Sequence, residues 1–256
     1  MHRAYLAILA LASLSACAGG NQAAGLPLAG SAGIRPLILH SSDFTRVVAW
    51  GAKGKPAVAQ CPQGDEVVAG GSSSSDGSSV STGSPSSGRK AWVVQPDSSA
   101  SGEAFATCVT HDVARANFEW RSASPTSGLA DAQCRSDYQI VTGYGTGTVS
   151  ASWYDASTNS YWVSGGSESF ASCVRRSAGV IIKHAWNQSQ KPKAVYAGCG
   201  SGYSVIAGSM GNSQWPGPPI QQHPGGASKP SEHGYNGWWT FSNALNELTW
   251  AACVST

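Results

Sequence analysis

The sequence predicts an all-β fold made of three pseudo-equivalent repeats. The first observation behind this prediction is a residue pattern that recurs three times at a spacing of about 65 to 80 residues, as internal repeats do. The second is the alternation, from residue 37 onward, of short segments rich in Val, Ile, Phe, Tyr and Trp with runs of Gly, Ser, Pro and Asn. Such alternation is typical of strands joined by turns, and no segment shows a convincing helical period.

Each repeat has an opening cysteine, two branched aliphatic residues six and seven positions later, and a glycine nine positions later. Each ends in the signature [FW]-A-[TSA]-C-V. The opening cysteines are Cys61, Cys134 and Cys199, the glycines are Gly70, Gly143 and Gly208, and the closing signatures occupy 105–109, 170–174 and 250–254. Because consecutive aliphatic residues point to opposite faces of a strand, we expect strands that are covered on both faces.

Aromatic residues also recur. One tryptophan precedes each opening cysteine by 11 to 14 residues, and another lies between the two cysteines of each repeat. We expect the recurring aromatics to pack in the core around the pseudo-axis, against the disulfides. They are Trp50, Trp120 and Trp186, then Trp92, Trp162 and Trp239, and finally Phe105, Phe170 and Trp250.

About four strands are predicted in each repeat, with repeats at about 45–112, 113–177 and 178–256 in one domain over 37–256. A β-prism-like arrangement is preferred, because the repeat is long for the alternative, a β-trefoil-like fold. Three independent beads are a further alternative. No Pro/Gly tract separates the units, and the next tryptophan follows each closing Cys-Val after only 11 or 12 residues, which favours one domain.

The N-terminus has the features of an export signal. Residues 1–16 contain Arg3 and then an apolar run too short to span a bilayer. The signal ends Leu-Ser-Ala-Cys, which resembles the bacterial lipobox, so Cys17 is expected to carry lipid. Residues 17–36, rich in Ala and Gly, would form a flexible tether. The resemblance implies an exported, membrane-anchored lipoprotein, in the outer membrane if the host is Gram-negative.

Seven cysteines form an odd set, and assigning Cys17 to lipid leaves two in each repeat. The repeat then selects one of fifteen pairings. The expected disulfides are Cys61–Cys108, Cys134–Cys173 and Cys199–Cys253, which implies an oxidising compartment. Zinc is the competing interpretation, but no C-x-x-C and no histidine at ligand spacing accompanies these cysteines.

The composition and the absence of known motifs argue against several classes of function. Charged residues make up 12% of the chain and the net charge is +2, so nucleic acid is not an expected partner. The sequence lacks G-x-S-x-G, H-E-x-x-H and a phosphate-binding glycine loop. His111 and Asp112 could act as a base and its orienting carboxylate, but neighbouring residues on a strand point apart. We therefore predict no enzymatic activity, no cofactor and no metal.

Aromatic residues without a counterpart in the other repeats are the candidate ligand-binding residues. Ser, Asn and Gly surround them, so hydroxyl and amide groups could bond a polar ring while an aromatic face stacks on it. The alternative is that they order their own loops. The candidates are Trp153, Tyr154, Tyr161, Trp215, Tyr235 and Trp238.

From residue 47 to 256 the chain resembles cysteine-bounded repeats of secreted bacterial proteins and of pilus-tip adhesins. The pattern that carries this resemblance is C-P-x-G, V-V-x-G-G, S-P, W-V-V and A-x-C-V in the first repeat. The threefold, disulfide-bonded arrangement is similar to β-prism proteins of egg vitelline membrane and of lectins. Arg135 and Asp137 in the second repeat depart from the first part of the pattern. The resemblance implies recognition of glycans or of a cell surface. The alternatives are a structural component of an envelope or pilus assembly and a hydrolase of cell-wall polymer.

Overall fold

The structure is a computed structural model that describes residues 37–74, 80–96, 98–146, 149, 151–187, 194–212, 221–225, 236–241 and 247–256. The chain from residue 35 to the C-terminus clusters into one compact unit. The first repeat contains β1 (Thr45–Trp50), β2 (Ala57–Gln60), β3 (Asp65–Ser74), β4 (Val80–Pro85), β5 (Ala91–Pro96) and β6 (Gly102–Thr110), followed by helix α1 (His111–Asn117). The second contains β7 (Phe118–Ala123), β8 (Leu129–Gln133), β9 (Tyr138–Thr146), β10 (Ala151–Asp155), β11 (Ser160–Ser164) and β12 (Glu168–Arg175). The third contains β13 (Ile181–Asn187), β14 (Val195–Gly198), β15 (Tyr203–Asn212), β16 (Gln221–Gly225), β17 (Gly237–Phe241) and β18 (Glu247–Ser255). Short 3₁₀ turns lie at Ser41–Asp43, Ser87–Arg89 and Arg176–Ala178.

The all-β prediction is confirmed, but each repeat has six described strands and not four. The strands of a repeat form two antiparallel three-stranded sheets with the same internal order every time. The inner sheets are β1-β6-β3, β7-β12-β9 and β13-β18-β15. The outer sheets are β2-β5-β4, β8-β11-β10 and β14-β17-β16. Gln222 of β16 pairs with Ser72 of β3, which also joins the outer sheet of the third repeat to the inner sheet of the first.

The two consecutive aliphatic residues of each repeat contact two different cores. Val67, Ile140 and Val205 point into the core between the inner and outer sheets of a repeat. The residues that follow them, Val68, Val141 and Ile206, meet in one central core to which all three inner sheets contribute. Each of these three is skipped in the strand pairing, so it occupies a β-bulge at the same place in every repeat. The inner strands are therefore covered on both faces, as the sequence predicted.

The three predicted disulfides are present as Cys61–Cys108, Cys134–Cys173 and Cys199–Cys253. In each repeat the opening cysteine follows the first strand of the outer sheet, and the closing cysteine lies on the middle strand of the inner sheet. Each bridge therefore ties the two sheets of one repeat together. Their presence indicates an oxidising compartment.

The recurring glycine gives room to an aromatic ring. A Cβ atom at Gly70, Gly143 or Gly208 would overlap the ring of Trp92, Tyr161 or Trp238, respectively, because these rings from the outer sheets lie flat on the inner-sheet backbone. The structural counterparts of Trp92 are thus Tyr161 and Trp238. The prediction that Trp162 and Trp239 hold this core position is wrong by one residue. One residue along a strand reverses the face, so both indoles lie half-buried on the outer faces.

The aromatic residue of each closing signature lies next to residues of a neighbouring repeat. Phe170 packs against the core of the first repeat, where its ring stacks on Tyr144 with centroids 4.7 Å apart. Trp250, fully buried, packs in the core of the second repeat. Phe105 lies beside Val205 and Trp238 of the third repeat, where it lines a cavity of about 10 Å³. These contacts connect the second repeat to the first, the third to the second and the first to the third, so they form a closed cycle.

A second set of contacts follows the same cycle. In the second repeat Trp120 donates from its Nε1 to the Val67 carbonyl of the first repeat at 3.4 Å. At the matching register in the first repeat, Arg46 donates from Nη2 to the Val205 carbonyl of the third at 3.0 Å. Ile182 holds this position in the third repeat and packs on the core of the second. The strand pairing thus aligns Trp120 with Arg46 and Ile182, and not with Trp50 and Trp186.

The expectation that Trp50 and Trp186 pack in the core is wrong. Both are 57% exposed, at the ends of β1 and β13, which are edge strands of the inner sheets. Their recurrence reflects the same surface position in two repeats. Recurrence of a tryptophan in the sequence therefore indicates neither burial nor, in the case of Trp120, an equivalent position in the sheet.

Candidate functional site

The structure moves two of the predicted ligand-binding residues into the core. Tyr161 and Trp238 are each 2% exposed and lie against Gly143 and Gly208, so neither ring is available to a ligand. Their assignment to a binding site is corrected for this reason. Trp215 and Tyr235 lie outside the described residues.

Trp153 and Tyr154 are half-buried neighbours on β10 that point to opposite faces. The Tyr154 ring contacts Trp250 with centroids 5.1 Å apart and His184 with centroids 6.1 Å apart, at the junction of the second and third repeats. Burial raises the pKa of Tyr154. Trp153 stacks on Trp162 with centroids 5.9 Å apart and planes inclined by 5°. Tyr154 therefore has a packing role, whereas Trp153 lies on the outer face.

A depression of about 570 Å³ lies on the third repeat, at the end where β14 and β15 are joined. This volume is within the range of known small-molecule sites. Its lining combines two aromatic rings with small and hydroxyl-bearing residues: Tyr196, Gly198, Gly200, Ser201, Gly202, Tyr203, Ser204, Asn236 and Thr256. We take this depression as the candidate functional site.

Two glycines specific to the third repeat position Tyr196. A Cβ atom at Gly237 would come within 2.5 Å of the Tyr196 ring, and one at Gly198 within 3.0 Å, so the ring lies flat over this pair of glycines. The strand pairing places Gln60 and Gln133 where Gly198 stands in the other repeats, and Ala91 and Ser160 where Gly237 stands. The Trp239 ring contacts Tyr196 with centroids 4.9 Å apart. Burial raises the pKa of Tyr196, so its hydroxyl remains protonated and can donate as well as accept.

Tyr203 is the second aromatic residue that lines the depression. Its counterpart in the second repeat is covered by other side chains. Tyr138 occupies the same register and is 2% exposed. The guanidinium groups of Arg135 and Arg175 lie over its ring, 4.6 and 5.0 Å from the centroid. In the third repeat Gly200 and Ser255 stand at the positions of these arginines, and Tyr203 is 37% exposed. The depression therefore exists because the two covering side chains are replaced by small ones.

The depression carries no charged side chain among its described lining residues. In the second repeat Arg135 is balanced by Glu119 at 2.9 Å and Asp137 at 3.8 Å. Ile181 and Gly202 replace these acids in the third repeat. The lining side chains therefore offer a cationic ligand no acidic group. Two tyrosine hydroxyls, the hydroxyls of Ser201 and Ser204 and the Asn236 amide suit an uncharged ligand with many polar groups.

Sequence reasoning missed Tyr196, Tyr203 and Asn236. The sequence does contain a signal for Tyr203. Tyr138 and Tyr203 both follow an opening cysteine by four residues, but an arginine, Arg135, lies between the cysteine and the tyrosine only in the second repeat. The glycine exchange at Gly198 and Gly237 required the strand register, which the sequence alone did not give.

The His111–Asp112 pair considered as a base and carboxylate is organised differently. His111 Nδ1 bonds Glu66 Oε1 at 2.6 Å, and Arg89 Nη2 contacts Glu66 Oε2 at 3.0 Å. Glu66 is buried, so this contact fastens the start of helix α1 to β3. Within the described ranges, no three or more His, Cys, Asp and Glu side chains are grouped as metal ligands would be.

Across the part of the chain that the structure describes, no helix has the length and hydropathy needed to cross a membrane. No protein-family model and no curated protein matches the chain.

Proposed function

We propose that this protein is an exported, lipid-anchored binding protein that recognises uncharged saccharide units of glycans or of a cell surface through the depression on the third repeat. The observation that supports the proposal most is the exposed ring of Tyr203, whose counterpart Tyr138 is covered by two guanidinium groups. A pyranose has an apolar face that stacks on such a ring and hydroxyl groups around its edge. Ser201, Ser204 and Asn236 supply hydrogen-bonding groups at that edge.

The test closes the depression in the way that the second repeat closes its own. Ser255→Arg places a guanidinium at the register of Arg175, so we expect it to cover Tyr203 and weaken saccharide binding at least about tenfold, which equals 1.4 kcal/mol. Ser255→Ala is the matched control, because it removes the same hydroxyl without covering the ring, and it should bind as the unmodified protein does. Tyr203→Ala should weaken binding as Ser255→Arg does. The measurement is a glycan array with the purified protein in detergent, followed by titration of each variant.

Equal binding by the Ser255→Arg and Ser255→Ala variants would refute the proposed site. If no glycan binds and a protein partner co-purifies instead, the second candidate, a component of an envelope or pilus assembly, is supported. The exposed Trp50 and Trp186 favour this candidate, because exposed indoles at edge strands are common anchors of protein contacts.

Lipid anchoring is a separate part of the proposal and rests on the sequence 14–17, Leu-Ser-Ala-Cys, which lies outside the described residues. Cys17→Ser should abolish acyl labelling and release the protein from the membrane fraction, because the thiol that would carry the lipid is gone. Cell fractionation with a radiolabelled fatty acid checks this expectation. An unlabelled native protein that stays with the membrane would contradict it.

For the architecture, we propose a β-prism-like arrangement of the three inner sheets. The central core shared by all three repeats and the closed cycle of contacts that Phe105, Phe170 and Trp250 make with neighbouring repeats support it. Six strands in each repeat speak against the trefoil alternative. An experimental density map lacking a pseudo-threefold axis through the central core would refute this arrangement.

A further inference from the structure

The outer face of the second repeat carries a row of three paired residues, Asp131, Trp162 and Trp153, on three neighbouring strands. Trp162 pairs with Asp131 on one side and with Trp153 on the other. The same register in the third repeat holds Tyr196, Trp239 and His223. In the first repeat it holds Val58, Val93 and Ser84. The outer faces of the second and third repeats therefore share a central indole that the first repeat lacks.

The two indoles of the second repeat form a flat aromatic surface. Trp153 and Trp162 are half-buried, with nearly parallel rings. Neither indole is used in the central core or in the cores between the sheets. Packing within the described part of the protein thus does not account for the pair.

The row also contains a donor and an acceptor without partners. Among the described residues, neither Trp162 Nε1 nor Asp131 Oδ1 has a hydrogen-bond partner, although both atoms are enclosed. Side chains at paired positions on antiparallel strands have Cβ atoms about 5 Å apart. The Nε1 atoms of Trp92, Trp238 and Trp250 also have no hydrogen-bond partner in the described part of the chain, but no carboxylate is paired with these residues across the strands. The combination of a donor with an acceptor in one row is thus specific to this face.

One hydroxyl group can complete both hydrogen bonds, because it accepts from an N–H and donates to a carboxylate at the same time. A saccharide offers such a hydroxyl next to an apolar ring face that can stack on an indole. Because the two polar atoms are enclosed in the unliganded protein, a neighbouring ring has to move before the hydroxyl reaches them. Trp153 stacks on Trp162 from the edge strand β10, so its ring is the one we expect to move.

We propose that the outer face formed by Asp131, Trp153 and Trp162 is a second saccharide subsite. It shares the ligand class of the proposed function but rests on different residues. The protein would then hold saccharide on two of its three repeats. A glycan with many copies of one unit is the ligand that two such subsites suit best, since linked binding events reinforce each other.

The test follows the indole N–H signals of the full-length, ¹⁵N-labelled protein by NMR. The probes are the methyl glycosides of glucose, galactose, mannose and N-acetylglucosamine, each up to about 50 mM so that millimolar affinities are saturated. We expect the signals of Trp153 and Trp162 to shift together and saturably with at least one glycoside. Asp131→Ala should weaken that response about tenfold. Val58→Ala, at the same register in the first repeat, is the matched control and should leave it unchanged.

A Trp162→Phe variant separates binding from folding. It keeps an aromatic ring but removes the N–H, so the remaining Trp153 signal should respond to the glycoside about tenfold more weakly while the other indole signals stay in place. The response should persist in the Ser255→Arg variant, in which the depression of the third repeat is covered. If Trp239 responds and Trp153 and Trp162 do not, the second subsite is refuted while the proposed function stands. If none of these signals responds to any of the four glycosides, both are refuted.

Discussion

Trp250→Ala is expected to lower the free energy of unfolding by about 3–5 kcal/mol, the range found when a large buried aromatic side chain is truncated. The Trp250 side chain is completely buried, and it fills the core of a repeat other than its own. Truncation leaves a cavity between Tyr154 and Tyr161, whose ring centroids lie 5.1 and 6.1 Å from that of the indole. Urea unfolding followed by circular dichroism measures the change.

The matched control is Trp186→Ala, which truncates the same type of residue on the strand paired with Trp250's own. Trp186 is 57% exposed, so its loss should cost less than about 1 kcal/mol, as is common for surface substitutions. Equal effects of the two substitutions would mean that insertion into the neighbouring repeat does not contribute to stability.

Removing the disulfide Cys134–Cys173 by changing both residues to alanine should cost about 4 kcal/mol. The bridge joins residues 39 positions apart, and without it the unfolded chain gains the corresponding conformational freedom. The bridge also ties the outer sheet of the second repeat to its inner sheet. In native-state hydrogen exchange, the loss of protection should therefore be largest for the backbone amides of that outer sheet.

The same change at Cys199 and Cys253, which are 54 positions apart, should cost about 0.3 kcal/mol more if chain entropy dominates. A loss below about 1 kcal/mol at either bridge would show that packing between the sheets is sufficient without the covalent link. The free energies of unfolding of both double variants are compared by urea unfolding, with one value for the dependence of the free energy on urea concentration.

Much of the frame could be predicted because the constraints on it repeat. Two consecutive aliphatics six and seven residues after a cysteine require two cores, and the structure has both. The disulfide pairing followed from two cysteines in each unit. The first outer strand was missed because alanine, a poor strand former, fills its inward positions. Ala59, Ala132 and Ala197 stand two residues before the opening cysteines, and this further recurring feature could have revealed that strand.

The buried aromatic residues were harder to tell from the exposed ones, because successive residues of a strand point to opposite faces. Trp162 and Trp239 lie one position after the core aromatics Tyr161 and Trp238, and matching tryptophan to tryptophan selected the wrong member of each pair. Recurrence also failed as a measure of burial for Trp50 and Trp186, which recur on the surface. The candidate site depends on the loss of two covering arginines, and that loss is visible only once Tyr203 and Tyr138 are known to share a register.

The closed cycle of contacts among the repeats limits how many copies the molecule can contain. In an open solenoid a copy can be added or deleted, since each unit touches only the next and the two ends are capped. Here Phe105 of the first copy lines a cavity together with Val205 and Trp238 of the third, so the first and last copies lie side by side. With two copies, each would have to cover a larger angle to close the cycle, and a fourth copy would have no place in the central core. Divergence of this protein should therefore proceed by change in its loops and outer faces, while the copy number stays at three.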